Sequence, residues 1–365
     1  MRLPRHLKGR LGFTTGACAT GALKGALLGL QGKRPAEVDL LLPIGRKATF
    51  KLHRLEVAHA WAQASVIKDA GDDPDVTHQA EIRVAVSLCP GRGEIIFRAG
   101  EGVGLVTKPG LGLPLQEPAI TKVPRRMMEE VVRETLREEL PRLKVEIVLS
   151  IPGGERLAQK TLNPRLGIVG GLSILGTKGI VIPFSTAAYK ATIAKALMVA
   201  KALGLKEVVL STGGRTEAFC HRLLPELPEE ALVQMGDFVG FSLRLTRLLG
   251  FKQANLAMMI GKMAKLALGL PNTHAKHGDI PLTFLREILY KIEPKAAEAK
   301  GILEAHTARG FLEALKGEFP HLVPLFAQRL CQEALRAAQR LAQGALVLKV
   351  FLFDFDGKLL AWSAG

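Results

Sequence analysis

Asn163-Pro-Arg-Leu-Gly-Ile-Val-Gly-Gly-Leu-Ser-Ile-Leu-Gly-Thr-Lys-Gly-Ile-Val-Ile-Pro-Phe-Ser185 is the stretch from which the division of the chain follows. Gly167, Gly170, Gly171, Gly176 and Gly179 stand between short apolar runs, and Pro183 closes the segment. Glycine weakens helix and strand alike, so this density needs a cause. One cause is a tight crossover between buried strands. Another is a backbone that comes close to a flat or bulky ligand, or turns around one. On the two sides of this stretch the rhythm of the sequence differs.

Before it, strands dominate. Thr14 or Thr15 is the expected N-cap of a helix running to Leu30, whose small residues Gly16, Ala17, Cys18 and Ala19 admit a close neighbour, backbone or ligand. Strands are predicted over Glu37–Leu42, Ala48–Val57, Ala64–Ile67, Glu81–Leu88, Gly93–Arg98 and Val145–Ile151. A helix from Pro124 to Leu140 interrupts them, with Met128, Val131, Val132 and Leu136 as its apolar stripe and Glu129 facing Arg133. This order predicts an α+β domain over residues 1–185.

After it, strands and helices alternate, which predicts an α/β domain with a parallel sheet over residues 186–365. A strand at Ile180–Ile182 leads to a helix capped by Ser185 or Thr186 and ended by Gly204. The next strand, Glu207–Leu210, runs into Ser211-Thr-Gly-Gly-Arg-Thr-Glu217. A helix around Gly236–Leu249, a strand at Ala254–Ile260 and further helices over residues 262–343 follow. Leu346–Phe353 and Lys358–Trp362, joined at Asp356-Gly357, read as a hairpin.

At 365 residues with 48% hydrophobic and 23% charged residues, the chain reads as a globular protein of two domains. No uncharged apolar run is long enough for a membrane span. Gly12-Phe-Thr-Thr-Gly follows the basic N-terminal residues in place of an apolar segment, so no signal peptide is expected. Cys18, Cys89, Cys220 and Cys331 lack CxxC pairing, which argues for reduced thiols in a cytoplasm. The formal charge of +16 attracts polyanions. With 5% aromatics and basic residues mixed among acids, a compact polyanion fits better than nucleic acid.

Three clusters invite a chemical reading. Ser211 to Glu217 sits where an open α/β sheet binds ligands, at the carboxyl end of a strand entering a helix. Gly213 and Gly214 free backbone N–H groups for an anion, and Glu217 suits a ribose; an ordinary strand-to-helix turn is the alternative. Gly261-Lys262 repeats the theme after the next predicted strand, and no GxGxxG fingerprint is present. Asp69, Asp72, Asp73 and Asp75, with His78, do not follow EF-hand spacing; they form either a surface turn or a negative loop facing a cationic group. His274, His277 and Asp279 raise a metal site, but the tract reads as a loop, and none is expected.

A series of segments resembles the CbiD family. They are Gly12 to Thr20, Ile67 to Thr77, Gly100 to Gly110, Glu117 to Ile120, Val123 to Arg126, Ile151 to Glu155 and Thr161 to Ser185. Ser211 to Glu217, Gln234 to Gly240, Met259 to Lys265 and Thr273-His274 continue it in the second half. Gln79 departs from the pattern, standing where glycine is expected after Thr77-His78. The resemblance implies an N-terminal α+β domain like a circularly permuted ribosomal protein S5 domain 2 fold, and a C-terminal α/β domain with a short parallel sheet.

It also implies a methyltransferase of cobalamin biosynthesis. The methyl group of S-adenosylmethionine would pass to C1 of cobalt-precorrin-5B, giving cobalt-precorrin-6A, with cobalt present only as part of the substrate. Under that reading the cofactor residues are Ser211, Thr212, Gly213, Gly214, Arg215, Glu217, Gly261 and Lys262. The tetrapyrrole, rimmed with acid arms, would meet Thr14, Thr15, Asp69, Arg125, Arg126, Arg165 and Lys178. The nucleophile is a carbon of the conjugated ring, so no catalytic side chain is assigned. No nucleic-acid or membrane partner is expected, and a homo-oligomer is compatible with the reading. The rivals are a noncatalytic corrinoid-binding protein, separated by S-adenosylmethionine affinity, and a basic RNA-binding or RNA-modifying protein, which would show steeply salt-dependent RNA affinity.

Overall fold

Ile82, Val84 and Val86 of Glu81–Pro90 and Val145, Ile147 and Leu149 of Leu143–Ser150 are buried at alternate positions, so one face of each strand enters a core. The computed structural model describes residues 9–275 and 282–365. The chain divides into two units, Met1–Ser185 and Thr186–Gly365. In the first, a five-stranded sheet runs in the order Arg54–Ala58, Trp61–Ile67, Glu81–Pro90, Leu143–Ser150, Glu94–Ala99. Neighbours are antiparallel except the last pair, which is parallel. The helices Thr15–Leu30 and Lys122–Leu136 bury their apolar residues in the same core as this sheet.

Two sequence expectations change here. The run Ala48–Val57 is two strands, because Lys47–Lys51 pairs with Glu37–Leu41 while Arg54–Ala58 pairs with Trp61–Ile67. Leu52 and His53 make the switch, donating their N–H groups to Ala36 (2.9 Å) and Ser65 (2.8 Å). The helix expected to reach Leu140 ends at Leu136 and tightens into a 3-10 turn over Arg137–Arg142, which contains Pro141. Proline has no N–H to donate and its ring crowds the preceding turn, so the α-helix cannot continue through it.

The glycine-dense stretch is a crossover threaded through the first unit. Ile168–Val169 pairs with Leu105–Val106, Ile180–Val181 with Gly12–Phe13, and Leu172 and Ile174 bridge to Val103 and Ile120. A Cβ on Gly171 would lie 2.2 Å from the Gly102 carbonyl, and one on Gly176 would lie 2.4 Å from the Thr14 hydroxyl. Gly170 alone among the five has open space around it. The small residues of the first helix serve packing too: Cβ atoms on Gly16, Gly21, Gly25 and Gly29 would press on Pro124, Phe50, Leu52 and Val57.

The second unit holds a sheet in the order Leu232–Gln234, Glu207–Ser211, Gln253–Met259, Val347–Phe353, Leu359–Ala364. Its strands are parallel up to Val347–Phe353, and the last returns antiparallel as the predicted hairpin. Leu232–Gln234 escaped the sequence reading because three residues carry no periodicity. The helix Gly214–Leu223 covers one face, where Cys220 and Phe219 join Val209, Leu232, Ala257, Phe351 and Phe353. The helix expected from Gly236 begins at Val239, since Gly236 takes a left-handed φ of 55° in a turn. The chain is thus a mixed α/β protein with parallel and antiparallel sheets.

Candidate functional site

Chain order and strand order disagree at one place in the second sheet. After Glu207–Ser211 the chain crosses to Leu232–Gln234 on one side, whereas after Gln253–Met259, the other neighbour of Glu207–Ser211, it crosses to Val347–Phe353 on the opposite side. Crossovers leaving in opposite directions open a crevice at the carboxyl ends of the two strands they leave from. Ser211-Thr212-Gly213-Gly214 and Met259-Ile260-Gly261-Lys262 sit at those ends, so six of the proposed cofactor residues share one edge. Nothing lies within 4 Å of a Cβ built on Gly213, and only the Gln234 amide approaches one on Gly214, at 3.7 Å.

Not every residue expected there serves the crevice. Arg215 reaches across to donate to the Phe355 carbonyl, so its guanidinium holds the hairpin loop. Glu217 is buried in the first turn of its helix and accepts from Gln234 Nε2 at 3.2 Å. Thr212 and Thr216 share a hydroxyl contact of 3.2 Å, and Thr216 donates to the Gly213 carbonyl.

Sequence reasoning gave a role to Lys262 but none to the residues that the fold assembles around it at the same edge. Asp237 accepts from Lys262 Nζ and, at 2.9 Å, from the Thr273 hydroxyl; Lys262 also donates to the Thr273 carbonyl at 3.2 Å. Burial alone would raise the Asp237 carboxyl, but the bonds from Lys262 and Thr273 outweigh it and hold the group below the usual carboxylate range. Tyr189 stands against Gly236 and is tilted on Phe238 at 5.5 Å. Its burial, with the charges of Asp237 and Glu217, pushes the phenol up and keeps it protonated. Three of the segments that resemble the family, around Gln234 to Gly240, Met259 to Lys265 and Thr273, meet in this cluster. The resemblance of those segments was the signal the sequence offered, without their meeting.

In the first unit the expected substrate residues divide. The Thr14 hydroxyl caps its helix at Ala17 N (3.2 Å), and the Thr15 hydroxyl both donates to Leu175 O (3.2 Å) and accepts from Leu175 N (3.0 Å). Both are buried, so their side chains hold the helix start to the crossover. Asp69 is gripped by Arg10 and accepts from Gly71 N at 2.9 Å; the Arg10 guanidinium brings its carboxyl down to about 2. Asp72 accepts from Arg10 N and Asp73 from Phe184 N, while Asp75 binds Lys68 (2.7 Å) and Thr77. The carboxylates of the acidic loop are thus engaged within the protein, by the cations of Arg10 and Lys68, by the Thr77 hydroxyl and by backbone N–H groups. Gln79 within it has a φ of 62°, which explains why glycine was expected there.

Arg125 pairs with Glu117 at 2.7 Å and lies over the Phe97 ring, 4.9 Å from its centre. Together these line an open cleft of about 440 Å³ along the free edge of Glu94–Ala99. Arg126 is exposed and reaches Glu130 one turn on (3.5 Å). Arg165 and Lys178 are half-buried on the crossover, where the Arg165 carbonyl accepts from Lys108 at 3.3 Å.

Among the described residues no group of three or more His, Cys, Asp or Glu could hold a metal. His277 and Asp279 lie outside the described residues, and His274 is exposed. The four cysteines are free thiols; burial pushes Cys18, Cys220 and Cys331 up to about 12, so they are inert. Among the described residues no helix is long and apolar enough to cross a membrane.

Residues 3–183 match the family model described as CbiD, and residues 272–364 match the one described as CbiD, C-terminal domain. A Thermus thermophilus protein named cobalt-precorrin-5B C(1)-methyltransferase is 48% identical over 98% of this chain and 95% of its own length. A protein of the same name from Priestia megaterium is 45% identical over 96% of this chain and 95% of its own. A crystal structure of a cobalamin biosynthesis protein (CbiD) from Archaeoglobus fulgidus has a TM-score of 0.39 at 24% identity, covering 71% of this chain and 79% of that one.

Proposed function

This chain belongs to the CbiD family, and from that premise we infer that it is a C-methyltransferase acting at C1 of cobalt-precorrin-5B in cobalamin biosynthesis. The observation that carries this is similarity along nearly the whole length to relatives bearing that name, with both units included. The rival readings, a noncatalytic corrinoid binder and an RNA-binding protein, find no support in the relatives' names.

We propose S-adenosylmethionine as the methyl donor and the edge at Ser211–Glu217 and Gly261-Lys262 as its seat. The fit rests on the open space at Gly213 and Gly214 and on the crevice at the switch in strand order. When bound, the donor supplies an electrophilic methyl group on a sulfonium. Gly213 and Gly214 let the backbone come close to it, and Gln234 fixes the Glu217 carboxylate beside it. Lys262 and Thr273 fix the Asp237 carboxylate at that edge. Tyr189 and Phe238 offer ring surface beside it.

For the tetrapyrrole, Arg125, Arg126, Arg165 and Lys178 are the proposed contacts to acid arms. A charge-assisted bond of this kind contributes roughly 1.5–3 kcal/mol. Thr14, Thr15 and Asp69 act behind them by fixing the helix start and the turn next to it. The protein's part in the chemistry is placement and exclusion of water, and placement alone can account for about 7–11 kcal/mol of a barrier. The same proposal includes the permuted S5-like fold for residues 1–185, a cytoplasmic location and the absence of a nucleic-acid partner.

The test is incubation with cobalt-precorrin-5B and methyl-labelled S-adenosylmethionine. One added label at C1, read by mass and NMR, is the expected result. Label at another carbon, or tight binding of both compounds without transfer, would overturn the reading.

A further inference from the structure

The helix Gly214–Leu223 starts without a cap. Gly213 has no side chain to supply one, and the N–H groups of Gly214, Arg215 and Thr216 find no acceptor among the described residues. The first intrahelical bond comes at Glu217 N, which donates to Gly213 O at 3.0 Å. Uncapped N–H groups are normal at exposed helix ends, where water serves them. This end differs because a second polar group beneath it is also unserved.

Ser211 is fully buried, and its hydroxyl has no hydrogen-bond partner. Its direction follows from the strand. Val209, two residues earlier, joins Cys220 and Phe219 of the helix in one cluster, and residues two apart share a face. Ser211 also stands in register with Ala257, a member of that cluster, and with Gln234, whose amide reaches Glu217 in the first turn. The hydroxyl therefore lies on the side of the sheet that the helix start covers. A buried hydroxyl without a partner is costly, and an acceptor brought to the helix start would supply one.

We propose that this helix start, with Ser211 beneath it, is a carboxylate site. Directed N–H groups and the positive end of the helix dipole suit an anion, and the space beside Gly213 and Gly214 admits one. The inference rests on the reading that this edge holds the methyl donor. Two sources of a carboxylate are compatible with it: the amino-acid end of the donor and an acid arm of the tetrapyrrole.

Gly214→Pro tests it with little risk to the fold. Proline suits the first position of a helix, the extended Gly213 before it is the backbone a proline requires, and only the N–H is lost. Calorimetric titration compares S-adenosylhomocysteine with 5′-methylthioadenosine, which lacks the amino-acid end, and cobyrinic acid with its heptamethyl ester. Gly214→Pro should melt at or above wild type. It should bind the acid member of one pair roughly tenfold more weakly and leave its partner compound unchanged, and the affected pair identifies the source. Gly214→Ala, which keeps the N–H, should lose less. Ser211→Ala should weaken the same acid ligand selectively, and its result decides the matter if Gly214→Pro melts well below wild type. Equal losses within both pairs, or no loss in either variant, would overturn the carboxylate site. Wild-type protein that binds neither adenosine compound nor distinguishes the acid from its ester would remove the donor site as well.

Discussion

Two sets of glycines in this molecule look alike in sequence and do opposite things. Those of the crossover at Gly167, Gly171, Gly176 and Gly179 have neighbours where a Cβ would go, and at Gly171 the neighbour is backbone. Those at Gly213 and Gly214 have almost nothing there. The first set lets the chain pass through its own core, and the second leaves room beside a helix start. Glycine density thus pointed to close approach in both places. What approaches differs: in one place the protein itself, in the other open space that a ligand can use.

Gly171→Ala is the hardest test of that contrast. Its Cβ would collide with the Gly102 carbonyl, which cannot rotate away, so a loss of about 3 kcal/mol is expected from urea unfolding of the full chain. A variant as stable as wild type would mean that the crossover has room to spare. Next comes Gln79→Gly, at a left-handed position occupied by a side chain. Relief of that conformation should gain about 1 kcal/mol, reduced by the freer unfolded chain. A clear destabilisation would show that the contact of the Gln79 amide with His78 matters more than its backbone.

Gly214→Ala should change stability by less than about 0.5 kcal/mol, since its Cβ meets only ordinary contact and alanine favours a helix. A large loss would place that glycine with the crossover set. The smallest effect is on acid unfolding. Asp69 sits at about 2 in the folded chain against 3.8 ordinarily, so its contribution is present above about pH 4 and disappears as pH falls toward 2. Arg10→Gln removes the main cause and should flatten that part of the stability curve. An unchanged slope between pH 4 and pH 2 would assign the depression to the Gly71 N–H instead.

Long periodic elements were legible in advance. The helix from Thr15, the stripe on the helix after Thr121 and the closing hairpin all carry signals local to a few residues. The split at Leu52-His53 was not, because it depends on which distant strand each half pairs with. At the site, the strand-end glycines announced themselves, whereas Asp237, Tyr189 and Thr273 did not. Each is an ordinary residue until the fold brings it to the same edge.

The charge balance, the absence of a long apolar run among uncharged residues and the change of rhythm near Ser185 belong to the sequence alone, since they depend on composition and on neighbours along the chain. Family membership is likewise written in the order of residues. Which protein groups Thr15 and Asp69 bond was decided only by tertiary structure. A hydroxyl or carboxylate takes whichever partner lies within hydrogen-bonding reach: for Thr14 that is Ala17 on its own helix, as the capping pattern predicted, while for Thr15 and Asp69 it is Leu175 and Arg10 from far along the chain.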